Sequence, residues 1–222
     1  MGSLLTWFLL EHTSGVERKK LLPDNETSKG ERPKAWESTA TLAFADDVAI
    51  ISRNIKSLSN EFERLNEKAE HMGLTINQEK TKYMFSGYSR ISIPNELKIQ
   101  EFTFERVKSF KYLGSVITEN NTMDSEIGAR LIAANKNYFG LANILKAKNV
   151  PCTIKTKIYK TTIRPVLIYG AETWTLTKRE ENSLGTFERK ILRRIYGAIN
   201  EGGIWRRRFN RELYHLYEES DI

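Results

Sequence analysis

Thr39-Ala40-Thr41-Leu42-Ala43-Phe44-Ala45-Asp46-Asp47-Val48-Ala49-Ile50-Ile51 is the stretch on which the fold turns. Two short apolar runs, residues 39–45 and 48–51, flank a polar pair, the pattern of a β-hairpin with a tight tip. Apolar residues on both flanks predict a covered hairpin whose tip is its polar exit. Asp46 and Asp47 sit side by side there. Adjacent carboxylates repel, and such a pair either raises a pKa or calls for a cation. An all-oxygen pair suits Mg²⁺, which commonly takes one or two carboxylates and fills its remaining positions with water and substrate phosphates. An ordinary Asp-rich turn carries the same two residues, so the neighbouring segments decide.

Downstream, Ile55, Leu58, Phe62, Leu65, Ala69 and Met72 recur at spacings of three and four, which predicts an amphipathic helix closed by Gly73. Residues 74–77 and 83–85 read as short strands. Phe102-Thr103-Phe104 reads as another, and residues 110–117 as a further strand pair. Strand-turn-strand, helix, then more strands describes an α+β fold, an antiparallel sheet with a helix on one face.

These segments carry a specific resemblance. Phe44-Ala45-Asp46-Asp47 resembles the aromatic-Ala-Asp-Asp box of reverse transcriptases. Gly73-Leu74-Thr75-Ile76-Asn77 with Lys80-Thr81-Lys82 resembles the box that follows it, and Phe110-Lys111-Tyr112-Leu113-Gly114 the one after that. Their order and spacing are similar to those of non-LTR retrotransposon polymerases, and the resemblance runs from about Thr39 to near the C-terminus. It implies a partial polymerase palm over residues 39–119. There Asp46 and Asp47 would hold the catalytic Mg²⁺ ions, and Lys80 would protonate the leaving pyrophosphate. Phe110 to Gly114 would aim the primer 3′-hydroxyl. For Phe110, Tyr112 and Leu113, core packing explains the residue types equally well.

Upstream the resemblance is incomplete. The family's palm has a further aspartate on an earlier strand, and the only aspartate before Asp46 is Asp24, between Pro23 and Asn25 in a turn-like context. No glutamine precedes Gln78, so the Gln-Gly box is not present. Residues 4–10 form a short apolar run expected to pack on the domain or fray. The polar, turn-rich remainder makes residues 1–38 an expected mobile arm or linker. A site lacking one carboxylate positions metals poorly, and in phosphoryl transfer such positioning supplies most of the rate. The expectation is therefore a truncated RNA-directed DNA polymerase unable to polymerise as an isolated chain. A partner polymerase chain that supplies the missing aspartate is a further option.

Residues 120–222 read as a helical, thumb-like basic region. Asp124 is expected to cap a helix striped by Ile127, Leu131, Ala134, Tyr138, Leu141 and Leu145. A second helix is expected over residues 153–163, disturbed by Pro165. Thr177-Lys178-Arg179-Glu180 is a capping box, opening a third helix that faces inward with Leu184, Phe187, Ile191 and Ile195. From Lys178 to Arg211 there are ten Lys or Arg against four Glu. Arg189, Lys190, Arg193 and Arg194 fall opposite the apolar stripe; Arg206, Arg207, Arg208 and Arg211 follow, interleaved with Trp205 and Phe209. Such a face can run along RNA or DNA phosphates while aromatics stack on unpaired bases. A solvated helix face and basic tail would look the same. This leaves a competing reading, a non-catalytic nucleic-acid-binding module.

Composition agrees with both readings. The 222 residues carry a net charge of +7, and 40% hydrophobic content is ordinary for a folded domain. No apolar run approaches the roughly 20 residues of a membrane span. The single Cys152 excludes an internal disulfide framework and fits an intracellular setting, nuclear or cytoplasmic.

Overall fold

The computed structural model describes residues 39–86 and 93–218 and the backbone of residues 5–11. The chain divides into two compact units, Met1–Thr122 and Met123–Ile222, a few residues beyond the break at residue 119 read from the sequence.

The first unit is built on a six-stranded sheet of order β2-β3-β1-β4-β6-β5. Its inner strand β1 (Leu5–Glu11) lies within the stretch expected as an arm and pairs with strands on both sides, so this short apolar run packs on the domain. A brief apolar run shows no period by itself, and both of β1's partners lie far along the chain. Residues 12–38, Asp24 among them, fall outside the described residues. Strands β2 (Ala40–Phe44) and β3 (Asp47–Ser52) form the hairpin, Phe44 opposite Asp47. Helix α1 (Ile55–His71) starts at Asn54, whose side chain accepts a 2.7 Å hydrogen bond from the Ser57 amide, and Gly73 turns the chain away with φ 72°. Phe62 of α1 packs edge-on against Phe102 and Phe104, with centroids 5.3 and 5.2 Å away. With Val48, Ile50, Leu58, Tyr83, Leu97 and Ile99 these rings make the core. Each such side chain, fully buried, contributes on the order of 1.5–3 kcal/mol.

The strand expected at residues 74–77 does not form, because its backbone groups are committed at both ends. The Leu74 amide closes the helix on the Ala69 carbonyl, while the Asn77 carbonyl and side chain organise the turn before β4. Strand β4 (Lys82–Ser86) pairs antiparallel with β1 but parallel with β6 (Phe102–Arg106), so the sheet is mixed rather than purely antiparallel. Strand β5 (Glu96–Ile99), not foreseen, alternates buried Leu97 and Ile99 with exposed Glu96 and Lys98. A separate hairpin, β7 (Ser109–Tyr112) and β8 (Ser115–Thr118), turns at Leu113 and Gly114, both with positive φ.

The second unit is helical. Helix α2 (Asp124–Gly140) begins with Asp124 as its first residue rather than its cap. Met123 holds the cap position, and the Asp124 and Glu126 charges still favour the helix N-terminus. Helix α3 (Ala142–Lys146) follows. Helix α4 (Cys152–Ile158) does not stop before Pro165. A π-turn over Tyr159–Ile163 carries it into α5 (Arg164–Leu167), so that Pro165 falls in a first turn, where no amide is needed. Helix α6 (Lys178–Tyr196) opens on the Thr177–Glu180 capping box, and those hydrogen bonds, the Thr177 amide's first, hold the Glu180 carboxyl below its ordinary pKa. A hairpin of β9 (Ile199–Glu201) and β10 (Ile204–Arg206) leads to α7 (Asn210–Tyr217). Leu145, Tyr159, Ile163, Leu167, Leu184, Ile191, Leu192 and Leu213 are fully buried between these helices.

Candidate active site and nucleic-acid interface

The hairpin tip is as short as a hairpin permits. Only Ala45 and Asp46 lie between the last residue of β2 and the first of β3. Turns of that length match strand twist only with positive φ at the first central residue, and Ala45 has φ 51°. The consequence is that Asp46 is exposed at the apex while Asp47, half-buried, opens β3. Phe44, 65% exposed, flanks them.

Register shows what else lies at this end of the sheet. Glu11, the last residue of β1, is the direct partner of Asp47. Lys82, the first residue of β4, is paired with Leu9 one strand further on. Lys82 is thus level with Ala49 rather than Asp47. With adjacent strands about 4.8 Å apart and a rise of about 3.4 Å per residue, the backbones of Asp47 and Lys82 are roughly 12 Å from one another. Lys80 is exposed in the turn just before β4, its amide donating to Asn77 Oδ1 at 3.1 Å. Lys82 is engaged elsewhere, its Nζ 2.8 Å from Glu105 Oε2. Tyr112, on the β7–β8 hairpin, is within electrostatic reach of the tip. Burial first, then the negative charge of Asp47, raises its phenol above the usual pKa. Phe110 and Gly114 are half-buried, whereas Lys111 and Leu113 are exposed, so this hairpin is not simply core.

Glu11 is the residue that reading the sequence missed. The signal was an apolar run ending on Glu11, but the backbone pairing that sets this residue opposite Asp47 is not local. Among the described residues no group of three or more His, Cys, Asp or Glu side chains is positioned to hold a metal. Asp46 and Asp47 alone fit a Mg²⁺ ion that draws its other ligands from water and phosphate.

In the second unit α6 and the β9–β10 hairpin border an open groove of 520 Å³ lined by Tyr138, Lys190, Arg193, Arg194, Trp205 and Arg207, among others. Lys190 Nζ is 3.2 Å from Asn135 Oδ1 and 4.9 Å from the Tyr138 ring centroid. Arg193 bonds Asn210 Oδ1 at 2.5 Å, while its buried Nε has no partner among the described residues. Burial, then the charges of Arg207 and Arg189, lowers its pKa. Arg206 differs. Its guanidinium is bound by Glu201 and Glu212, with Nε 2.7 Å from Glu201 Oε2 and Nη1 3.0 Å from Glu212 Oε2, and it lies 4.7 Å from the Phe209 ring centroid. The structure thus brings Arg189, Arg193 and Arg207 together, with Lys190 and Arg194 beside them. Arg206 is committed to the fold, and Arg208 and Arg211 do not line the groove.

Residues 23–117 match the family described as reverse transcriptase (RNA-dependent DNA polymerase). Over that span the chain is similar to reverse transcriptases. The matched reverse transcriptase segment contains the Asp46–Asp47 tip, the Lys80 turn and the β7–β8 hairpin up to Ile117. A transposon-derived protein of Caenorhabditis elegans is 27% identical over 160 residues, covering 70% of this chain and 56% of the relative. The chain therefore spans little more than half the length of the curated relative it matches. No helix among the described residues is long and apolar enough to cross a membrane.

Proposed function

We propose that the chain is a non-LTR retrotransposon reverse transcriptase palm joined to a thumb-like helical unit, and that it engages RNA or DNA. Asp46 and Asp47 are its metal-holding carboxylates, and Lys80 is the proton donor to the leaving group. The loop from Phe110 to Gly114, with Lys111 and Leu113 exposed, positions a primer end. The observation that supports this reading best is the two-residue hairpin that presents both aspartates at one end of the sheet, inside the matched span. Mg²⁺, when bound, would stabilise the attacking and leaving oxygens of phosphoryl transfer. The chain's own part is to fix the two carboxylates on a rigid tip and to keep a lysine at the same sheet end.

We also propose that these 222 residues bind primed template without extending it, since one more aspartate on a neighbouring strand is what the resemblance calls for. Arg193 and Arg207, two neighbouring cations without a carboxylate partner among the described residues, favour retained binding. Primer extension on a primed RNA template with Mg²⁺ and deoxynucleotides, beside an Asp46→Asn control, tests both parts. Binding without extension is expected from either protein. Extension lost in Asp46→Asn overturns the inactivity and makes Glu11→Gln the next variant, since Glu11 is the carboxylate in register with Asp47. Extension that survives Asp46→Asn overturns the assignment of the tip.

A further inference from the structure

The groove beside α6 pairs two features that bear on the state of its ligand: a cluster of uncompensated cations, and an aromatic side chain standing in solvent. Resting on the reading that the helical unit binds nucleic acid, we infer that this groove takes an unpaired strand, with a phosphate between Arg193 and Arg207 and a base stacked on Trp205.

The cations come first. Among the described residues Arg193 has only the neutral Asn210 amide as a hydrogen-bond partner, and its Nε is buried without one. Arg207 and Arg189 are close enough for their charges to disfavour a further positive charge at Arg193. Stored repulsion of that kind is relieved by an anion, and a phosphate oxygen can accept from two guanidinium groups at once. The contrast with Arg206 is informative. One residue from Arg207, it is neutralised by Glu201 and Glu212, so the acidic residues of this region are spent on holding the hairpin rather than on filling the groove.

The aromatic comes second. Trp205 lies on β10 at the groove and is 70% exposed, with Ile204 next to it at 73%. An indole in that position loses apolar contact unless something flat covers it. A base in a duplex has both faces already stacked on its neighbours, so a duplex passing over the arginines offers Trp205 nothing. An unpaired base offers a whole face, and stacking on an aromatic side chain is how unpaired strands are held without sequence preference. Tyr138 does not compete for that role, since its ring is buried and lies under Lys190. Backbone geometry keeps the path open. Gly197 ends α6 with φ 69° and has no heavy atom within 4 Å of where a Cβ would stand.

Fluorescence anisotropy of the full chain separates the outcomes, with labelled oligothymidine and oligouridine of about 16 nucleotides and a duplex of equal length as probes. The expected result is tighter binding of the unpaired probes, with Trp205→Ala weakening them about 5- to 150-fold and leaving the duplex unchanged. Trp205→Phe should keep most of the affinity. Arg207→Gln should lower the slope of log K against log salt on unpaired strands by about 0.7. Comparing oligothymidine with oligouridine assigns the strand to DNA or RNA; either one supports the inference. Binding of all three probes with a silent Trp205→Ala, or with equal losses on duplex and unpaired strand, overturns the inference and leaves the nucleic-acid reading standing. No binding of any probe by folded protein overturns the reading beneath it.

Discussion

Ala45 holds a left-handed backbone at the tip that sets Asp46 and Asp47, and it does so without the glycine or asparagine that normally marks such a turn. For an L-residue that conformation costs roughly 1–2 kcal/mol. Ala45 is exposed, so packing does not offset the strain. Glycine would relieve it but would also loosen the unfolded chain, a loss of about 0.4–1 kcal/mol, so Ala45→Gly should range from equal to the parent to about 1.5 kcal/mol more stable. Ala45→Val, β-branched at positive φ, should destabilise the sheet unit by about 1–3 kcal/mol. Urea unfolding followed through the strand signal checks both, and an unchanged midpoint for Ala45→Val would remove strain from the account. At this scale the aspartates were legible because their chemistry is unusual wherever they stand. The turn geometry was not, since Phe-Ala-Asp-Asp contains no residue that announces positive φ. The same is true of Gln100 and Leu113, with φ of 53° and 48°.

Elements were legible where their signal is local. Helices α1 and α6 carry their periods, caps and ends in contiguous residues, and both form over the expected stretches. Strand β1 carries an apolar run but not its partners, and the parallel pairing of β4 with β6 has no local signature at all. Arg206 shows the same limit in side chains. In the sequence it is one of three consecutive arginines, whereas its partners Glu201 and Glu212 reach it only once β9, β10 and α7 have formed. That tie makes the hairpin pH-sensitive. Hydrogen bonds from the Arg206 side chain, then from the Phe209 amide at 2.7 Å, hold the Glu212 carboxyl at about 2, well below its ordinary value of 4.5. A depressed folded pKa means stability that is present above the unfolded pKa and lost as pH falls from about 4.5 toward 2. Hydrogen-exchange protection of residues 199–206 should therefore decline across that window while the middle of α6 stays protected. Glu212→Gln should show the weakened hairpin already at neutral pH and flatten the decline. Protection in Glu212→Gln equal to the parent at pH 7 would mean that Glu201 alone holds Arg206.

Across the whole molecule the charge is divided unevenly. Met1–Thr122 carries 17 Lys or Arg against 17 Asp or Glu and is neutral, while Met123–Ile222 carries 18 against 11 and accounts for the entire +7. The unit with the paired aspartates thus carries no net charge, and the net positive charge that would draw a polyanion resides in the helical unit. Net charge alone would make any four cations equivalent; an uneven distribution does not, because screening confines each exposed charge to a range of about 10 Å at ordinary salt. Two quadruple variants separate the alternatives. One replaces Arg193, Arg194, Arg207 and Arg211 with Gln; the other replaces the exposed Lys56, Lys68, Lys98 and Lys108 of the sheet unit. Both lower the net charge equally. On an immobilised heparin column the first should elute at clearly lower salt than the parent, and the second close to it, since each lysine it removes leaves a unit in which carboxylates already match cations. Equal shifts for the two would show that the chain meets polyanions through its overall charge, with no face set apart for them.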